Sequence, residues 1–516
     1  MLLSISEPAS RLTRRSLLIS SASAAALLAM PNRAMPALGA QTPATSTGVF
    51  LDPSVLHDVM ATFDQDEYDA MIATFAETGD KEWLSATVTI DGQVFEQTGL
   101  RLKGNSSLMG LRGDNGGFDF QEAEDFLLPQ TVTNAEGTPV AVPGDGTFEP
   151  RVEFGGGMGG NVSADEPQGL PWLVRLDRNI DGQNYNGLYE FVIRSNNSET
   201  ALNEALALNL LTEAGLASQA AAFIHFSTNG SDPRLRIAIE NPDDVWLEKH
   251  FSLEGTLFKS EAEGNWSYRD ENWESYVEAF DLEAGGSDDD AEDYAPLISF
   301  LDFLNNSDDA AFTTDLPARL DIEQFAVYMA MMDLIQNDDA IDGPGNNSYL
   351  YYDPATSMFT VAPWDMNLAF GGMGGFGGGT GMGPGGNMGG RPQGTPGQGQ
   401  FPMDGETLMI NGTPIAAGDM PMGPESDFIQ DGGMGGRGGF GGMSNPLARR
   451  WDANTEFATL QSETQDRLRS ELFESGTATN ILARWVSVLE TQATDLVDQS
   501  TIDRESQSLQ GQIDAA

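Results

Sequence analysis

From residue 83 to residue 104 the chain alternates apolar and polar side chains, "WLSATVTIDGQVFEQTGLRLKG", on both sides of Asp91-Gly92. A period of two predicts half-buried strands, and the Asp-Gly pair between them predicts a tight hairpin. The same alternation predicts a second strand pair in "PWLVRLDRNIDGQNYNGLYEFVIRS", hinged at a glycine-containing turn, and a third in "HFSTNGSDPRLRIAIE". The period then changes. In "SETALNEALALNLLTEAG" Ser198 is a plausible N-cap, leucines at 202, 206 and 210 and again at 208 and 211 mark more than one buried face, and Gly215 marks the end. This reads as a helix buried on several sides. Helical patterns return in "DIEQFAVYMAMMDLI" and from "NPLARRWDAN" to Val497, the latter as a small bundle.

Between those helical stretches lies "QNDDAIDGPGNNSYLYYDPATSMFTVAPWDMNLAFG". An acid-rich loop ends in Asn347, a strand "SYLYY" follows, a turn falls at Asp353-Pro354, and a second strand delivers Asp365 and Asn367. Such a hairpin brings the loop acids and Asp365 together. Asp365 is hemmed by Val361, Pro363, Trp364, Leu368 and Phe370, and a carboxylate in apolar company needs a cation or strong donors.

At 516 residues with 40% hydrophobic content the chain has room for two domains or one large domain with insertions. There are 26 Lys and Arg against 78 Asp and Glu, a formal charge of −52. A surface this acidic repels phosphate backbones, which excludes nucleic acid as the expected partner. There is no cysteine, so disulfides and thiol catalysis are excluded.

The first 40 residues read as an export signal of the twin-arginine type: Arg14 and Arg15 precede an apolar run, Leu17 to Met30, that is too short to span a bilayer. A linker is expected at 41–48. No later segment approaches the roughly 18 apolar residues of a spanning helix, so an exported, periplasmic or extracellular protein without a stable membrane span is expected. Residues 371–443, with repeats such as "GGMGGFGGGTGMGPGG", read as a Gly/Met-rich flexible insertion, and "FGGGMGGN" at 154–161 as a shorter piece of the same kind. Their methionines are read as incidental rather than as ligands for a soft metal such as Cu(I).

Two motifs bear on chemistry. "DRNIDG" at 177–182 matches the first half of an EF-hand loop, but its twelfth position is Leu188 where a bidentate Glu is required; a turn between strands is the better reading. "RLKGNSS" places Arg101 and Lys103 in a strand before a glycine, an amide and small hydroxyls, a segment able to wrap phosphate oxygens through backbone N–H groups. Phosphoryl transfer needs a carboxylate at the acceptor hydroxyl, and an amide with a second carboxylate on Mg²⁺. The loop and hairpin around Asp365 contain that set.

The segments "GLRLKGNSS", "GLYEFVIRSNNSETALNEALALNLLTEAG", "GTLFKSEAEG", "NDDAIDGPGNNSYLYYD" and "APWDMNLAFG" resemble the CotH kinases in order and spacing, from about 50 to 370, with a weaker helical match at 445–497. The resemblance implies an α+β, atypical protein-kinase-like fold with mixed antiparallel sheets, a helical C-terminal part and Gly-rich insertions. The kinase-like domain would comprise 49–370 and 444–500, and 501–516 would be a tail. It implies Mg²⁺ (or Mn²⁺) and ATP as cofactors and an envelope or coat protein as substrate. By matching position, Asp339 is the catalytic base, Asn347 and Asp365 hold metal, and Asn367 is a further metal candidate. Lys103, Lys259 and Glu204 are candidates for phosphate contact and its supporting ion pair, with the choice of lysine open. The alternative is a non-catalytic, metal-binding envelope assembly protein on the same fold. A hydrolase built on histidine ligands has less support, because His57, His225 and His250 all lie far from the acid loop in sequence.

Overall fold

The computed structural model describes residues 49–104, 106–111, 162–261, 266–287, 289–337, 339–342, 347–371 and 445–516, with short strand pieces at 45–46, 408–410 and 413–415. The expected leader, most of the linker, the 154–161 piece and nearly all of the 371–443 insertion lie outside these residues.

Seven strands close a barrel. The first, β1 (His57–Phe63), buries every second residue. Helix α1 (Gln65–Thr78) follows, capped by the Asp64 carboxylate on Asp66 N and Glu67 N and ended by Gly79 at φ 80°. Strands β2 (Trp83–Ile90) and β3 (Gln93–Leu102) form the expected hairpin. Asp91 and Gly92 both take positive φ, 49° and 81°, as a two-residue turn between right-twisted strands demands. The expected second and third pairs are β4 (Trp172–Arg175) with β5 (Glu190–Ile193) and β6 (Ala221–Thr228) with β7 (Arg234–Glu240), both antiparallel. "DRNIDG" lies between β4 and β5. The order is β1-β2-β3-β4-β5-β7-β6, and a parallel pairing of β6 with β1 closes it. Val88, Ile90, Phe95, Leu100, Trp172 and Phe191 belong to one apolar core.

Helix α2 (Leu202–Glu213) lies in the other, larger core, and its leucines at 202, 206, 208, 210 and 211 are all buried. Its start differs from the expected one. The N-cap is Ala201, at φ 54°, while the Ser198 hydroxyl accepts from Ala201 N at 3.0 Å in the preceding turn. The Thr200 N–H in that turn donates to the buried Glu505 carboxylate at 3.2 Å, and the helix starts three residues later than expected. Gly215 follows the helix end at φ 86°, as expected.

A four-stranded antiparallel sheet supplies the other half of the site: β8 (Thr256–Ser260), β9 (Phe280–Gly285), β10 (Ser348–Asp353) and β11 (Met358–Pro363), in the order β9-β8-β10-β11. Helix α3 (Asp244–His250) precedes it; α4 (Asp290–Asn306), α5 (Asp309–Asp315) and α6 (Ile322–Leu334) stand between β9 and β10. Helices α7 (Pro446–Ala453), α8 (Thr455–Leu468) and α9 (Thr477–Gln492) form the expected C-terminal helical part. The segment expected as a tail is instead mostly helix α10 (Gln499–Ile513), which buries Ile502, Glu505, Leu509 and Ile513. Its apolar residues are too sparse to announce a helix, and one of its buried positions is an acid. The fold is thus mixed α and β with antiparallel sheets. Among the described residues no helix is long and apolar enough to cross a membrane.

Candidate functional site

The β10–β11 hairpin sets the geometry. Its register places Ser348 opposite Pro363, so the residues just outside the ladder, Asn347 and Trp364, are neighbours, and Trp364 N donates to Asn347 O at 3.3 Å. Asp365 comes next, at φ 60°, a left-handed conformation that Asp adopts more readily than most residues. It opens a short 3-10 turn, Met366–Leu368. Asp339 lies in the turn beyond α6, and Asn347 Nδ2 donates to both its carbonyl oxygen and its Oδ2, each at 2.7 Å. Burial, reinforced by the Asp365 charge, pushes the Asp339 carboxyl up to about 6, against the opposing bond from Asn347. The hairpin therefore does join the acid loop to Asp365.

The cation that Asp365 requires is Arg194, which the sequence reading did not single out. This buried arginine follows β5, donates through Nε to Glu204 Oε1 at 2.8 Å, and donates through Nη2 to Asp365 Oδ1. Its guanidinium also stands 5.8 Å from the centre of the Trp364 ring. Strand β7 fixes its backbone at both ends: Arg194 N donates to Ile237 O at 2.9 Å, and Arg236 Nη2 donates to Arg194 O. Burial holds the Glu204 carboxyl above its ordinary range, opposed by Arg194 and reinforced by Asp365. The signal that flagged Asp365, a charge within an apolar run, was also present at Arg194 in "EFVIRS".

Glu204 is thus paired with an arginine and not with either candidate lysine. Lys259, on β8, places Nζ 2.6 Å from Glu261 Oε1. Lys103, just past β3, lies 5.8 Å from the Trp364 ring centre, and its amine is lowered by burial, with Glu283 opposing. A third lysine, Lys81, joins them: burial and the charges of Lys103 and Lys259 push it down to about 8. Facing these cations, Glu261, Asp281 and Glu283 each bring a carboxylate oxygen within 4.8 Å of the others. The buried Tyr349 feels both this group and Asp365: its hydroxyl is raised well above the ordinary value by burial, then by Glu283, Glu261 and Asp365. Asn367 is anchored through its carbonyl, which accepts from Asn203 Nδ2 of α2 at 2.7 Å.

Glu204 and Asp365 therefore share one guanidinium, and Asp339 stands close enough to Asp365 to feel its charge. Mutual repulsion among them is what an added cation would relieve. Among the described residues, the atoms that these hydrogen bonds leave unused are oxygens: Oδ2 of Asp365, Oδ1 of Asn347 and Oδ1 of Asp339. An all-oxygen set suits a hard divalent ion of the Mg²⁺, Mn²⁺ or Ca²⁺ kind. The histidines are engaged elsewhere, His57 with Asp91 at 2.7 Å and His225 with Asp58 at 3.2 Å, while His250 packs 4.8 Å from the Trp246 ring.

The family model described as "CotH kinase protein" matches residues 158–505. Inner spore coat protein H of Bacillus subtilis (strain 168) is 23% identical over 171 residues, a match covering 33% of this chain and 46% of that relative.

Proposed function

The chain belongs to the CotH kinase family, and on that premise we propose that it transfers the γ-phosphoryl group of ATP to a Ser or Thr hydroxyl of an envelope or coat protein, on a scaffold of atypical kinase type. The observation that carries the reading is the joining of Asp339, Asn347 and Asp365 by one hairpin and one amide. Asp339 is the group that orients the acceptor hydroxyl and takes its proton. A carboxyl near 6 is ionised at neutral pH yet close enough in proton affinity to act as a base. Asp365 and Asn347 would hold Mg²⁺ or Mn²⁺, with Asn367 as a further candidate. When bound, that ion neutralises phosphate charge and fixes the direction of transfer.

Arg194 keeps the Asp365 carboxylate aimed, and Glu204 keeps Arg194 in place. Lys103 and Lys259, with Lys81 beside them, supply the positive charge for the phosphate chain. The test is ATP binding with and without Mg²⁺ by calorimetry, for the parent protein and Asp365→Ala. Loss of the metal-dependent part in the variant is expected, and unchanged ATP affinity overturns the assignment.

A second reading has one specific support: Arg194 already supplies Asp365 with a counter-charge. On that reading the chain is a non-catalytic envelope or surface assembly protein. Incubation with labelled ATP, Mg²⁺ and coat-type proteins separates the two, since label transfer that Asp339→Asn abolishes excludes the second.

A further inference from the structure

The two acids of the proposed site, the metal-holding Asp365 and the base Asp339, are not free carboxylates. Each has one oxygen already taken by a nitrogen donor of the chain. Asp365 Oδ1 is bound by Arg194 Nη2, and Asp339 Oδ2 is bound by Asn347 Nδ2 at 2.7 Å. The same bond fixes the Asn347 amide so that only its Oδ1 remains for an ion. Arg194 cannot swing away cheaply. It is buried, its Nε is committed to Glu204 at 2.8 Å, and its backbone is held from both sides by Ile237 O and Arg236 Nη2.

A carboxylate oxygen that already accepts from a guanidinium is a weaker donor, and one crowded by positive charge, so a cation takes the other oxygen first. That restriction discriminates between ions. Mg²⁺ binds single oxygens in a tight octahedron at about 2.0–2.1 Å and keeps several waters, whereas Ca²⁺ gathers about 6–8 oxygens at 2.3–2.6 Å and often takes both oxygens of a carboxylate. Mn²⁺ shares with Mg²⁺ the preference for octahedral oxygen coordination.

We propose that Arg194 is the specificity-determining residue of the metal site: by holding Oδ1 of Asp365 it limits that acid to one coordinating oxygen and so selects Mg²⁺ or Mn²⁺ against Ca²⁺. Arg194 touches the ligand and not the ion, so its role is positioning. The inference rests on the metal-dependent reading above and adds to it which ion is accepted and why.

The experiment follows free Mn²⁺ by electron paramagnetic resonance while Mn²⁺ is titrated into the full chain, then displaced by Mg²⁺ or by Ca²⁺. In the parent protein Mg²⁺ displaces Mn²⁺ at least as well as Ca²⁺ does. In Arg194→Met, Asp365 is released to bind through both oxygens, and the preference moves toward Ca²⁺ by about tenfold or more, a change of about 1.4 kcal/mol. Because Arg194→Met leaves Glu204 buried without its partner, Arg194→Met/Glu204→Gln is measured beside it and is expected to show the same shift. A parent protein that binds no Mn²⁺ overturns both the metal-dependent function and this inference. Bound Mn²⁺ with an unchanged Mg²⁺ to Ca²⁺ ratio in a folded variant overturns this inference alone.

Discussion

Arg194 and Glu204, ten positions apart in sequence and joined at 2.8 Å between Nε and Oε1, form the buried ion pair that ties the barrel to helix α2. Arg194 directly follows β5, Glu204 lies in the first turn of α2, and Asp365, 171 positions on from Arg194, completes the group.

Breaking that pair from one side is expected to be costly. Arg194→Met leaves Glu204 and Asp365 without their shared cation, and removing one partner of a buried pair costs about 3–5 kcal/mol. The double variant Arg194→Met/Glu204→Gln removes the stranded charge and recovers part of that loss. Urea denaturation of the parent, single and double variants measures both effects, and a double variant no more stable than the single one contradicts the account.

The Asp339 carboxyl gives a pH signature in the metal-free protein. Its value of about 6 in the folded chain lies above the ordinary 3.8, so the folded state holds a proton that the unfolded state releases first. The stability this contributes is present below about pH 4 and is lost as pH rises through about 6. Asp339→Asn cannot lose a proton, so relative to the parent it is more stabilising at about pH 7 than at about pH 4. Thermal denaturation of both proteins at the two pH values reads the difference directly, and an equal difference at both excludes the assigned shift.

Glu505, buried on α10, accepts from Glu199 N at 3.3 Å, from Thr200 N at 3.2 Å and from the Thr200 hydroxyl. These bonds pin the approach to α2 three residues before Asn203 and four before Glu204. Glu505→Ala leaves buried donors unpaired and should destabilise the protein by about 1–3 kcal/mol. It should also loosen the entry to α2, read as faster amide hydrogen exchange at residues 199–204. Unaltered exchange there, with a folded variant, would show that α2 is held without α10.

The sequence alone determined the elements whose information is local. Period-two alternation located the hairpins β2–β3 and β6–β7, and Asp-Gly marked the turn of the first, because that turn needs the positive φ seen at Asp91 and Gly92. Likewise "SYLYY" and the strand before Asp365 were legible as a hairpin, which already implied that Asn347 and Asp365 meet. What the sequence could not supply was the partner of a buried charge. Asp365 announced a need for a cation, but Arg194 lies 171 positions away, and nothing in the spacing distinguishes it from Lys103 or Lys259. The barrel closure of β6 on β1 and the burial of Glu505 against Thr200 are of the same kind. An ion pair or a non-sequential strand pairing is a contact between surfaces that exist only after the chain has folded, so only the tertiary structure decides which charge answers which.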